Sequence, residues 1–411
     1  MSLAASSVAA SPIRVRHVPG APLVALRIVL PGGGRREPVP GQSLVSGRML
    51  GEGTRRRSWS ELAAAGEAVG LSSAGYGGLE SHGFVADALS QHWERALELA
   101  AEQLFESSFP EDRLQWVRRH AAAELEAQAD QADVITARAF LEVLYGEHPK
   151  GRPLQGSAES LARLTPESTR DFHAAAIAHG GWLFVAGEID AEAVAAAATR
   201  HFGDLAAPGS GRITPPPPPS PEARRRELRT RAHDQAHLFM GQLTVARAHA
   251  DFVALEVAGV ILGSGAGLSG RIPFRIRDRE GLAYSASADT VSAAGLDAGR
   301  LIAYVGTAPE NVARAEAGIR DELRRLLDDG VEQSEVDDAR AYLLGREPFR
   351  RESARQWADL AAQGALLDLP VEDPQWRREQ LEAVDRAAVE RALRTHLDPD
   401  RLAVVVGLPA L

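Results

Sequence analysis

The sequence predicts an α+β protein of two duplicated domains, each a mainly antiparallel sheet with helices packed on one face. Three observations carry that prediction. The chain has 411 residues, too many for one hydrophobic core and near two domains of about 200 residues. Close to its middle, Pro208-Gly-Ser-Gly211 and the run Pro215 to Pro219 read as an extended, semi-rigid linker. Short motifs also recur across that linker at nearly one spacing. Val331-Glu-Gln-Ser-Glu-Val336 echoes Phe109-Pro-Glu-Asp-Arg-Leu114 at an offset of 222, and Arg401 to Gly407 echoes Gly181 to Gly187 at 220. In both halves the echoed strand follows a helical segment carrying a histidine, His173 or His396. The expected organisation is a tail over residues 1–12, an N-terminal domain over 13–207, a linker over 208–223 and a C-terminal domain over 224–411.

The elements follow in order. Ile13 and Val15, then the turn Pro19-Gly20, then Leu23 to Leu30 read as two strands stopped by Pro31-Gly-Gly-Gly34. Leu44, Val45, Met49 and Leu50 recur at helical spacing, and Gly51 and Gly53 end that helix. Ser58-Trp-Ser-Glu61 is a capping box that opens the next helix. Turn glycines and alternation from Leu71 to Leu89 predict a hairpin. Helices are expected over about 93–105, 110–129 and 134–144, before Tyr145-Gly-Glu-His-Pro149 breaks the pattern. Thr165-Pro166 caps another helix. Trp182 to Gly187 is an apolar strand, followed by an alanine-rich helix to about His201. Beyond the linker, the mixed-charge stretch Glu222 to Arg231 leads into the second half, where a strand is expected before Leu238-Phe-Met240 and a helix over 251–262.

Composition narrows the function classes. Apolar content of 45% and charged content of 25% are those of an ordinary globular protein. A net charge of −10 gives no support to a nucleic-acid partner. Basic side chains are arginine except for Lys150, a bias that fits genomic base composition better than a binding surface. No cysteine is present, which excludes disulfides and thiolate zinc sites. No apolar run reaches the ~18 residues of a membrane span. The segment MSLAASSVAASPIRVR lacks a basic start and a long apolar core. As it stands, the sequence is expected to be cytoplasmic, with a periplasmic location open if a leader was removed.

The stretch richest in chemistry is Gly263 to Tyr284, GSGAGLSGRIPFRIRDREGLAY. Glycines Gly263, Gly265, Gly267 and Gly270 make a loop whose backbone can approach a ligand closely. Arg277 and Tyr284 lie seven residues apart across the turn glycine Gly281. A guanidinium is a rigid fork of donors and a phenol donates without ionising at neutral pH, so together they suit the holding of a carbonyl oxygen. The plainer reading makes Arg277 a solvated helix residue and Tyr284 partly buried core. The cluster Arg271, Arg275, Arg277 and Arg279 could instead meet acidic surfaces. Gly265 to Gly270 matches G-x-G-x-x-G, but a helix precedes it where a dinucleotide site needs a strand. His233 and His237 have i, i+4 spacing, yet fall where a strand is expected, so solvated or packed histidines compete with a metal site there. No G-x-S-x-G elbow is present and Ser269 has no evident base, which argues against a serine hydrolase.

The duplicated α+β halves, the glycine loop, Arg277-Asp-Arg-Glu-Gly-Leu-Ala-Tyr284 and Tyr145-Gly-Glu-His-Pro-Lys-Gly-Arg152 together resemble the pitrilysin-type zinc peptidases, the family of mitochondrial processing peptidase. The resemblance spans nearly the whole chain. Catalytic members carry H-x-x-E-H on a first-domain helix, two histidines binding zinc and a glutamate activating water. The matching positions are Leu44, Gly47 and Arg48, and none can serve. Glu124 and Glu126 lie where the family's third ligand falls, but one carboxylate cannot hold zinc. The resemblance thus implies a chain with no metal or cofactor of its own, paired with a homologous subunit that has H-x-x-E-H and the zinc. In such two-chain bacterial peptidases the inactive chain supplies an arginine and a tyrosine in trans. Arg277 is expected to bind a substrate carbonyl, Tyr284 to hydrogen-bond the oxygen that becomes anionic, and the glycine loop to contact the peptide. Two alternatives stay open: an inert scaffold or peptide-binding protein, like the core subunits this family lends to respiratory complexes, and a hydrolase with its metal site relocated to His233 and His237.

Overall fold

The computed structural model describes residues 11–209, 223–231, 235–265 and 270–410. Ten strands form two five-stranded sheets. In the first, β1 (Ile13–His17), β2 (Leu23–Pro31), β3 (Ser72–Gly77), β4 (Ser81–Leu89) and β5 (Trp182–Gly187) lie in the order β1-β5-β2-β4-β3. In the second, β6 (Arg225–Thr230), β7 (Ala236–Leu243), β8 (Ala283–Ser292), β9 (Arg300–Thr307) and β10 (Ala403–Pro409) lie in the order β6-β10-β7-β9-β8. The two orders are one topology. Each has a parallel pair at one edge, β1 with β5 and β6 with β10, and antiparallel neighbours elsewhere. The predicted duplication and α+β class are borne out, but helices cover both faces of each sheet where one face was expected, because the central strands are apolar on both sides.

Local signals build most elements as the sequence predicts. Ser58 accepts the Glu61 N–H while Glu61 accepts the Ser58 N–H, which starts helix Trp59–Glu67. Thr165 caps helix Pro166–Ala178 in the same way with Ser168, and Pro166 occupies its first turn. The charged stretch 225–230 is different. It forms β6, an edge strand bonded on one side to β10. Its exposed arginines and glutamate suit a solvated edge and hide the apolar alternation by which strands are recognised. The linker residues 210–222 lie outside the described residues.

Each sheet buries both of its faces. On β2, Val24, Leu26, Ile28 and Leu30 enter the main core beneath the helices of the same half. The alternate residues Ala25 and Val29, with Phe184 and Ala186 of β5, pack against helix Ala354–Leu367. The second sheet repeats this, with Phe239, Ala403 and Val405 against Phe140 on helix Ala132–Tyr145. Each helix therefore belongs to the half of the fold opposite its place in sequence. One compact unit comprises residues 1–125, 153–214 and 348–373, and the other 126–152, 215–347 and 374–411. Contiguous halves split at the linker do not describe that exchange. No helix among the described residues is long and apolar enough to cross a membrane.

Two polar devices sit inside the first unit. Arg27, 7% exposed on β2, donates to Asp87 at 3.1 Å and to Asp359 on the exchanged helix at 2.5 Å. Arg355 of the same helix pairs with Asp87 from the other side at 2.9 Å. Deeper, His173 Nε2 lies 2.7 Å from the Leu104 carbonyl and donates to it. Its Nδ1 is then an acceptor for His82 Nε2–H at 3.4 Å. Burial, aided by His173, pushes the His82 pKa down to about 3, and burial also lowers that of His173. Both rings are neutral in the folded chain.

These devices make two predictions. Arg27→Ala should destabilise the protein by about 2–3 kcal/mol in urea titration, less than the roughly 3–5 kcal/mol of a fully orphaned buried pair because Arg355 still faces Asp87. Because the unfolded chain protonates these two histidines near pH 6.5 and burial opposes their protonation in the folded chain, unfolding takes up protons as pH falls and stability drops from about pH 6.5 downward. His82, with its folded pKa near 3, accounts for about 1.4 kcal/mol per pH unit in that window. His82→Leu should remove one such contribution between pH 6 and 4.5, read from denaturation midpoints at stepped pH; an unchanged slope would mean His82 is charged in the fold.

Candidate functional site

The three positions matching the zinc motif lie on one short helix, Gln42–Met49. That helix rests against β3 backbone to backbone. A Cβ on Gly47 would stand 2.1 Å from the Tyr76 carbonyl oxygen, and one on Gly75 would stand 1.7 Å from the Gly47 oxygen. A Cβ on Gly77 would likewise stand 2.2 Å from the Ser43 carbonyl group. Glycine at 47 is therefore a packing requirement, and a glutamate there would collide with the strand. Arg48 turns to Glu124 on helix Glu111–Ala129, with Nη2 and Oε2 2.9 Å apart. Of the two carboxylates considered for a third ligand, the structure joins Glu124 to this helix, and Glu126 enters no described ion pair with it. A fixed cation thus neutralises the carboxylate that a metal would need. Leu44 and Gly47 offer no donor atom, so the residues present do not fit a zinc ion.

The second unit carries the Arg277 and Tyr284 pair. Helix Phe252–Gly259 continues as a π-helical stretch, Val260–Ser264, and reverses at Gly263. The glycines form the neck of the loop that follows. Gly263 has φ 155° and Gly270 has φ 118°, and a Cβ on Gly270 would lie 2.6 Å from the Gly263 Cα. Only glycine lets the two strands of the neck touch this way. Gly265 is extended beside it, and Gly267 and Ser269 lie outside the described residues. The chain then enters a second π-helical stretch, Phe274–Arg279, in which the Glu280 N–H donates to the Arg275 carbonyl five residues back. Buried Ile272 and Ile276 anchor it to the core.

This winding puts the neighbouring arginines to two uses: Arg271 and Arg275 enter ion pairs, while Arg277 and Arg279 have none among the described residues. Arg271 grips Glu335 with two donors, at 2.7 and 2.6 Å. Burial alone would raise the Glu335 pKa, but the Arg271 guanidinium and the Glu332 N–H hold it below the usual carboxylate range. Arg275 pairs with Glu280, Asp321 and Glu322. Arg277 has no carboxylate partner among the described residues and lies over the Tyr284 ring, 5.6 Å from its centroid. Tyr284 is 83% exposed. Gly281, at φ 61°, turns the chain into β8, an edge strand. There Ala283 faces Thr307 and Ser285 faces Gly306, so Tyr284 is the extra residue of a bulge. A bulge frees a side chain from the pleat and re-aims it. The structure thus brings Arg277 and Tyr284 together, and solvates the tyrosine that could have been core. The pair can offer donors to a carbonyl or an oxyanion.

The other singled-out histidines fare differently. His237 lies on β7 with Nδ1 3.1 Å from the Tyr304 hydroxyl, and His233 lies outside the described residues. Lys150 of the Tyr145–Arg152 segment donates to the carbonyls of Ala293 and Ala298, both at 2.8 Å, so this stretch clasps the turn between β8 and β9.

Restoring the motif should therefore fail. The triple variant L44H/G47E/R48H is expected to melt at lower temperature, with overpacking at 47 alone costing about 1–3 kcal/mol, and to show no zinc-dependent peptide cleavage. Cleavage by that variant would show that β3 can give way.

Comparison with known proteins agrees with this geometry. Residues 13–158 match the profile described as Insulinase (Peptidase family M16), and residues 164–343 match the one described as Peptidase M16 inactive domain. An uncharacterized zinc protease of Mycobacterium tuberculosis is 29% identical over 303 residues, covering 72% of this chain and 68% of that protein. A similar protein of Bacillus subtilis is 26% identical over 326 residues, with 78% of each covered. The crystal structure of a peptidase M16 inactive domain from Pseudomonas fluorescens superposes with a TM-score of 0.87 at 22% identity, over 97% of this chain and 95% of that one. With a duplicated fold of that kind and both halves matched, the chain belongs to the M16 peptidase family.

Proposed function

We propose that this chain is the non-catalytic member of a two-chain M16 zinc endopeptidase, and that it presents Arg277 and Tyr284 to the zinc cleft of a homologous catalytic chain. The observation that carries the reading is the state of that pair. Arg277 is spared the ion pairs that occupy Arg271 and Arg275, and Tyr284 projects 83% exposed from a bulge at the sheet edge. A guanidinium without a carboxylate partner among the described residues and an exposed phenol, held side by side, are poorly explained as structure. They suit a carbonyl that must be bound and polarised by groups already in place. Arg277 binds a backbone carbonyl of the peptide, and Tyr284 donates to the oxygen on which charge develops. The edge strand β8 offers unpaired backbone groups next to them, against which an extended peptide can align. The chain's own motif helix supports the same division of labour, since Gly47 and the Arg48–Glu124 pair leave it unable to do the chemistry.

The test is reconstitution with a homologous chain that carries H-x-x-E-H. The mixture should cleave peptides that neither chain cleaves alone. Tyr284→Phe should lower kcat about 10²–10³-fold, the usual loss for one oxyanion donor, and Arg277→Ala should reduce kcat/KM to a similar degree. Because Tyr284 is solvated, its variant should keep the wild-type Tm. Unchanged turnover in both variants would refute the assignment.

A further inference from the structure

We infer that the second unit holds a surface site for one divalent transition-metal ion, formed by His249, Asp251 and His396. One ligand atom from each residue lies within 4.8 Å of the others. Asp251 Oδ2 stands 2.9 Å from His396 Nε2 and 3.9 Å from His249 Nδ1. The two imidazoles meet edge to face, with centroids 5.2 Å apart and planes at 89°.

The placement of Asp251 is the first sign that this is more than three polar neighbours. Asp251 occupies the N-cap of helix Phe252–Gly259, where an aspartate ordinarily accepts a backbone N–H of the first turn. Here its side chain makes no capping bond. The carboxylate is turned instead into the space between the histidines. His396 is held just as deliberately. It ends helix Arg386–His396, and its carbonyl accepts from Gln242 Nε2 of β7 at 2.6 Å, while Gln242 Oε1 accepts the Asp398 N–H at 2.9 Å. The same side-chain amide thus clamps the backbone on both sides of Leu397. One carboxylate and one imidazole are fixed by the scaffold, and the exposed His249 is left to close on the ion.

The chemistry follows from the donor set. Two imidazoles and a carboxylate suit zinc, nickel, cobalt or copper, and give no reason to prefer magnesium or calcium, which take oxygen ligands. Ligands about 2.0–2.2 Å from a tetrahedral zinc lie roughly 3.3 Å from one another. The 3.9 Å between Asp251 and His249 must therefore close by roughly half an ångström, and the 2.9 Å between Asp251 and His396 must open slightly. The metal-free arrangement shows how. The His396 Nε2–H···Asp251 bond gives way to the ion, with the imidazole proton carried on Nδ1 in the bound form. His249, whose Nδ1 now accepts the Asp251 N–H at 3.1 Å, turns on its exposed side. Three ligands on one side leave at least one coordination position for water or for a donor from another molecule. Bound, the ion joins the turn before the second half's first helix to the end of its last, residues 145 apart in sequence. It uses neither the motif helix of the first unit nor the Arg277 and Tyr284 pair, so it stands or falls apart from the proposed function.

The experiment is titration of the untagged, chelator-stripped full chain with zinc and, separately, magnesium, followed by calorimetry and by Tm. Zinc should bind saturably at one ion per chain and raise Tm, and magnesium should do neither. His249→Ala, on an exposed turn that the fold does not need, should weaken zinc binding by more than the about 10–100-fold that loss of an outer-sphere partner costs. His396→Gln should do the same, and His237→Ala should leave binding intact. No saturable zinc binding would overturn the inference, as would binding that survives both His249→Ala and His396→Gln or that disappears with His237→Ala.

Discussion

The central strands of each five-stranded sheet, β2 and β5 in the first and β7 and β10 in the second, are apolar at both parities, so neither sheet can be stable with one face in water. On β2, residues 24, 26, 28 and 30 bury against helices of the same half, and residues 25 and 29 need another partner. Helix Ala354–Leu367 is that partner, and helix Ala132–Tyr145 is its counterpart on the second sheet. At about 25 cal/mol for each Å² of apolar surface removed from water, leaving such a face bare would cost more than a domain's net stability. The exchange of one helix from each half follows from this. Even the charged residue on that face of β2, Arg27, is answered from the exchanged helix by Asp359. The compact units consequently cross the linear halves at two places.

The two units have diverged in what they leave free. In the first, the motif helix has closed onto β3 through Gly47, Gly75 and Gly77, and the Glu124 carboxylate beside it is neutralised by Arg48. This loss of chemistry is built into the packing of the sheet edge and is not a matter of three interchangeable side chains. In the second, a π-helical winding and a bulge do the opposite. Arg271 and Arg275 satisfy the acidic residues around them, and that leaves Arg277 beside a solvated Tyr284. Both devices distort regular structure locally while Ile272 and Ile276 hold the segment to the core.

Much of this was legible in the sequence because its causes are local. The hairpin of β3 and β4, the capping box at Ser58 and Glu61, the capped helix after Thr165 and the echo between halves all rest on patterns a few residues long. Arg277 and Tyr284 could be singled out for the same reason, being seven residues apart across a turn glycine. β6 escaped because an edge strand in water has no apolar alternation to show. The glycines at 263 and 270 could be seen as a loop, but their mutual contact at its neck could not.

By itself, then, the sequence determined the elements, the duplicated α+β architecture and the loss of the zinc ligands, since propensity, periodicity and the presence of a donor atom are properties of short stretches. The tertiary structure decided which helix covers the second face of each sheet, why position 47 must remain glycine, and which of the neighbouring arginines lies over Tyr284 without an ion pair. It also decided that His249 and Asp251 meet His396. Those outcomes depend on approach between residues tens to hundreds of positions apart. One chain's sequence carries no periodic mark of such an approach, because the contact is set by how whole sheets and helices must pack to bury their faces.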